Sequence, residues 1–154
     1  MTYQARRSNT VEEMLELLDE SNKVVHTLKI KIDADAVAKA AREQYVNLIH
    51  AEQNLRDVAA KKDSALTEYV ESAQKVAGNA LVTLYRTVLG DENTDIILEF
   101  YVNRFMEMHM EVTPFVTQVL IPKINDTVRV AKNRIANQYK RNKGYSSKFI
   151  RRGI

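Results

Sequence analysis

Residues 81–124 read LVTLYRTVLGDENTDIILEFYVNRFMEMHMEVTPFVTQVLIPKI. This block holds three of the four Phe, three of the five Met and both Pro of the chain. No other stretch is so apolar over such a length, so the remaining helices must pack on it. Leu81, Leu84, Tyr85, Val88 and Leu89 recur at helical spacing. Gly90 follows, a residue able to take the positive φ found beyond a helix end. Asp91, Glu92, Asn93 and Thr94 are turn and N-cap residues. The pattern predicts a second helix from about Asp95 to Val112. A third begins with Thr113 as cap and Pro114 at the first helical position, where a missing N–H costs nothing.

The second of these helices is apolar on more than one side. Ile97, Tyr101, Phe105, Met108 and Val112 make one stripe, and Ile96, Phe100 and Met110 add a flank. A helix of this kind is central to its domain or buried in a partner. Phe105 is expected in the core. Phe100, Met106, Met110 and Phe115 are the candidates for a partner-binding face, because Met-rich surfaces adapt to varied partners.

Upstream of the block, Thr10-Val11-Glu12-Glu13 has the Thr and Glu spacing of a capping box. It predicts a short helix over residues 10–20, with Val11, Met14, Leu15 and Leu18 on one face. Residues 24–32, VVHTLKIKI, change period. Val24, His26, Leu28, Ile30 and Ile32 share one parity, with Lys29 and Lys31 on the other, which is the alternation of a strand. A lone strand must pair with residues 2–6, with another protomer or with a partner. Leu28 and Ile30 are therefore the candidates for self-association. An extended loop lying on the helices is the alternative for this segment. Asp33 is the expected N-cap of a helix from about Ala34 to Ala60. Asp63-Ser64 suit the start of the next, whose small Ala73, Ala77, Gly78 and Ala80 admit a close neighbour. Beyond Pro122, which should start or kink a helix, Ile124, Val128, Ala131 and Ile135 carry helical spacing to about Arg141.

Together these readings predict a mainly α fold. It is a compact, bundle-like domain of about five helices, with at most one short β ladder near the N-terminus. The 154 residues suit one domain, drawn at 1–143, with a basic, mobile tail over 144–154. The chain has no Cys, which removes disulfides, thiolate catalysis and cysteine metal sites and permits a reducing compartment. No apolar run is long enough to span a membrane, and MTYQARRSNTVEE lacks the apolar centre of a signal peptide.

The formal charge of +3 is unevenly divided. Residues 1–122 carry 13 Lys and Arg against 19 Asp and Glu, a balance of −6; residues 123–154 carry 10 against the single Asp126, a balance of +9. In the basic end, Arg134, Lys140, Arg141, Lys148, Arg151 and Arg152 could neutralise phosphates, and the interleaved Tyr139, Tyr145 and Phe149 could stack on bases. A solubilising tail, or one that binds an acidic protein surface, is the other reading.

Signals for catalysis are missing. His26, His50 and His109 have no carboxylate three or four residues away, so neither the Glu-x-x-His of a di-metal bundle nor His-x-x-x-His is present. Glu99, Glu107 and Glu111 read as a solvated or partner-facing edge. No Gly-rich phosphate loop or nucleophile elbow occurs. The chain reads as a non-enzyme without cofactor or metal.

The order of motifs in the central block resembles the tail assembly chaperones of long-tailed phages and prophages of Gram-positive bacteria. The resemblance rests on the VLGDENTD turn, the ILEFY and RF-x-EM helix, the proline-marked EVTPFV to VLIPKI helix and the Lys/Arg-rich end. HTLKIKID followed by an Asp-started helix is also similar to that family. The likeness covers about the last two thirds of the chain, and the acidic segment 10–20 departs from it. It implies a non-enzymatic, oligomeric protein in the cytoplasm of the infected bacterium. Such a protein would coat and solubilise the tape-measure protein and help recruit tail-tube protein. A nucleic-acid-binding protein acting through residues 123–154 and a structural virion component are the competing readings.

Overall fold

A computed structural model describes residues 1–61 and 67–152, and the side chains of 67 and 141–152 are not part of that description. The fold is mainly α, with a two-stranded antiparallel sheet at its N-terminal end. Strand β1 covers Thr10–Leu18 and β2 covers Val24–Asp33. Helices α1 (Ala34–Ala60), α2 (Thr67–Leu89), α3 (Asp91–Phe100) and α4 (Phe105–Pro114) follow. A π-helical turn, Phe115–Leu120, joins α4 to α5 (Ile121–Arg152).

The strand at 24–33 has its partner in its own chain. Residues 10–18, expected as a helix, are β1, and Val11 faces Ile32, Glu13 faces Ile30, and Leu15 faces Leu28. Segment 10–18 satisfies two periodicities: Val11, Met14, Leu15 and Leu18 fit a helix, while Val11, Glu13, Leu15 and Leu17 fit a strand. The open backbone groups of β2 decide between them. The loop from Asp19 to Lys23 is closed by the Asp19 carboxylate, which accepts from the Ser21 and Lys23 N–H groups at 2.9 and 3.0 Å, while Asn22 takes a positive φ of 63°. Leu28 and Ile30, 4% and 1% exposed, point into the chain's own core, so the expectation of a self-association surface there is corrected. Lys29 and Lys31 are exposed on the other face, as the alternation requires.

Helix α1 has the expected bounds. The Asp33 side chain accepts from the Ala36 N–H at 3.3 Å. Ala34, Ala38, Ala41 and Leu48 of α1 and Ala73, Ala77, Leu81, Leu84, Tyr85 and Val88 of α2 are buried, and these two helices form the most extensive helix pair. The small side chains let the backbones approach, as the sequence implies. The expected helix start at Asp63-Ser64 lies outside the described residues.

Gly90 ends α2 at φ 87°, ψ 161°, and α3 starts at Asp91, four residues earlier than expected. The intervening residues cap carbonyls instead of forming a separate turn. Thr94 Oγ1 donates to the Gly90 carbonyl at 2.7 Å and Asn93 Nδ2 to the Leu89 carbonyl at 3.0 Å. Arg86 binds Asp95 at 2.8 Å across the corner.

The single helix expected over 95–112 is two. Residues 101–104 form a turn in which Asn103 has φ 61°, a conformation Asn tolerates better than most residues. Pro114 does not begin a helix but lies inside one. Without an N–H at Pro114, the ladder shifts: Phe115 N–H bonds the Val112 carbonyl at the tight three-residue spacing, and further on Ile121 N–H bonds that of Val116 at the wider π spacing. The chain then runs through Pro122 without stopping. α5 also continues past Arg141 and Gly144 to Arg152, so the helix is longer than expected.

Candidate functional site

Two lines of exposed side chains on and beside α4 make the candidate surface. Met108 and Val112, each 1% exposed, turn one side of α4 into the core. At about 100° per residue, Met106 and Met110 fall on the outer side. They are 67% and 71% exposed, and Val102 in the preceding turn is 64% exposed. Phe105, expected in the core, is 42% exposed. Its ring lies over Gly78 of α2, where an added Cβ would sit 3.5 Å from Phe105 Cζ. The stripe that placed Phe105 inside was drawn across the break at 101–104, and the break rotates α4 relative to α3.

Beside this line, an open groove of about 590 Å³ separates the end of the hairpin from the α3–α4 corner. Its apolar lining includes Leu15, Leu18, Phe100, Tyr101 and Val102. Phe100 meets the Tyr101 ring edge-on at 4.8 Å and the His26 ring at 6.1 Å. Its rim is acidic: Glu16, Asp19, Glu20, Glu107 and Glu111, against Arg104 alone. Arg104 donates to Glu20 at 2.9 Å, bridging corner and hairpin, and this bond holds the Glu20 carboxyl below its usual value. Burial, and then the negative charge of Glu111 and Glu107, holds the Tyr101 phenol above its usual value.

Of the four residues expected on a partner-binding face, Met106 and Met110 are exposed and Phe100 lines the groove. Phe115 is partly buried against the core and belongs to neither line. In the basic end, Arg134 and Lys140 are exposed; Arg141, Lys148, Arg151 and Arg152 have side chains outside the description.

A second polar arrangement carried no sequence signal, because its members come from three helices. Glu52 Oε1 of α1 lies 3.0 Å from His109 Nε2 of α4. His109 Nδ1 is 2.7 Å from Thr113 Oγ1, which is 2.6 Å from the Tyr85 hydroxyl of α2. Carboxylate, imidazole and hydroxyl have the connectivity of a nucleophilic triad, but Thr113 is buried at 8% exposure and the groove does not reach it. The chain of bonds instead satisfies polar groups where α1, α2 and α4 meet.

Tyr85 is fully buried, and burial pushes its phenol up to about 12. Between pH 10 and 12 the unfolded chain therefore loses this proton while the folded chain keeps it. Stability from this group is complete below pH 10 and falls as pH rises toward 12. Alkaline denaturation of the wild type should be steeper over this range than that of Tyr85→Phe, as read by circular dichroism.

Among the described residues no group of three or more His, Asp or Glu side chains could hold a metal ion. No described helix is long and apolar enough to cross a membrane. No family model, curated protein or solved structure matches the chain.

Proposed function

We propose that this chain is a non-enzymatic tail assembly chaperone of the kind its sequence resembles. In this reading it binds and solubilises the tape-measure protein, aids tail-tube assembly and acts as an oligomer in the cytoplasm of the infected bacterium. The observation that supports it is the line of Val102, Met106 and Met110, large apolar side chains left in water along the outer side of α4 and the turn before it. Exposed, adjacent Met residues suit an amphipathic helical client of varied sequence, since the thioether side chain repacks at little cost. A tape-measure protein, a long helical rod, presents such a surface repeatedly.

The test is co-expression with the tape-measure protein of the same phage or prophage. The wild type should keep that protein in the soluble fraction and co-purify with it. Met106→Ser/Met110→Ser should leave thermal stability within about 0.5 kcal/mol, as for other exposed positions, and should lose both effects. A double variant that still solubilises and co-purifies with the client would refute this surface. Exposed Arg134, Lys132 and Lys140 support a second reading, nucleic-acid binding through α5.

A further inference from the structure

The part of α5 from Lys132 to Lys140 stands clear of the core. From Lys132 to Lys140 every residue is exposed, including Ile135 at 67% and Tyr139 at 72%. Ile135, Ala136 and Tyr139 are three and four apart and share one face, with Lys132 and Lys140 at its two ends. A helix segment packed on nothing is marginal in water, and this one also leaves an apolar stripe wet.

The acidic groove is its complement. It has an aromatic and aliphatic floor and five carboxylates against one guanidinium, which Glu20 already engages. Within one chain the two cannot meet. α5 crosses β1 where Lys123 pairs with Glu13, then runs on so that Arg134 lines a cleft with Asn9 and Thr10. The groove lies at the opposite end of β1, between Leu15 and Asn22. A helix directed toward one end of a strand does not reach a groove at the other.

The geometry points to docking of the Lys132–Lys140 segment of α5 in the acidic groove of a second copy of this chain. The stripe of Ile135 and Tyr139 covers the floor at Phe100 to Val102, and Lys132 and Lys140 face Glu107 and Glu111. Each copy gives one helix and accepts one. The contact is head-to-tail, and closes into a ring or continues as a helical array. It deepens the oligomer of the proposed function by assigning its contact, and since no client enters its test, its failure is distinct from a failure of client binding.

The test is the mass of the purified full chain by sedimentation at micromolar concentration. At low salt the wild type should be oligomeric, and at high salt it should shift toward monomer, because the charged pairs are solvent-facing. Glu107→Lys/Glu111→Lys should sediment as a monomer, and so should Lys132→Glu/Lys140→Glu. These four positions are exposed, and circular dichroism should show the fold unchanged. Mixing the two monomeric variants should restore association, since each then offers one native or one reversed surface that matches the other's. Restoration should also follow when all four substitutions are combined in one chain. A wild type that is monomeric at low salt, or four substitutions that fail to restore association, would overturn the proposal. So would a monomer that retards DNA through these same lysines, which would assign α5 to nucleic acid.

Discussion

Leu84→Ala should lower the free energy of unfolding by about 3–5 kcal/mol, read from urea denaturation. Leu84 is 0% exposed on the inner side of α2 and belongs to the core cluster that also holds Leu81, Tyr85, Ile97 and Leu120. That cluster draws side chains from the hairpin and from α1 to α5. A cavity there is walled by several elements, so no single one can move in to fill it. Phe105→Ala is the informative comparison. Phe105 is the larger side chain, yet it is 42% exposed and rests on Gly78. Its removal should cost only about 1–2 kcal/mol, since part of its surface is already in water. Equal losses for the two variants would contradict the rotation of α4 described above.

Gly90→Val should cost roughly 2–3 kcal/mol for a different reason. The backbone at Gly90 has φ 87° and ψ 161°, a region that side chains with a Cβ, and above all β-branched ones, avoid. Apart from Gly90 and its two chain neighbours, no heavy atom lies within 4 Å of where the Cβ would sit. The penalty is therefore one of backbone conformation alone, and it should show in Gly90→Ala as a smaller loss of the same sign. If both variants unfold at the wild-type midpoint, the sharp corner between α2 and α3 is not held as described.

Much of this fold was legible in short-range signals. Asp33 before an Ala-rich run and Gly90 after Leu89 are local features whose meaning does not depend on distant residues, and both helix ends fall where they indicate. The parity of β2 was readable for the same reason. Segment 10–18 was not, because its apolar residues satisfy both periods and only pairing with β2 separates them. The break at 101–104 rests on Asn103 and on the Arg104–Glu20 bridge, and the bridge partner is 84 residues away. Pro114 was read by its commonest helical position, whereas here the π turn after it absorbs the missing donor. At the candidate surface, the Met residues were visible as a type but their exposure was not. It follows from how α4 is rotated after the break. In the link from Glu52 through His109 and Thr113 to Tyr85, only the His109–Thr113 pair has helical spacing; Glu52 and Tyr85 join it from other helices, which the sequence does not show.

The contact between Lys123 and Glu13 joins elements 110 residues apart. It bears on how the chain can be made. The inner side of β2 can be covered by α1 and α2, which follow it directly, but the cover over β1 is α5. Domains tend to acquire structure from the N-terminus while synthesis proceeds. The hairpin can therefore close early, yet Val11 stays in contact with water until residues beyond 120 have left the ribosome. During that interval the nascent chain carries an open strand edge with an apolar face, the combination that draws in other unfinished chains.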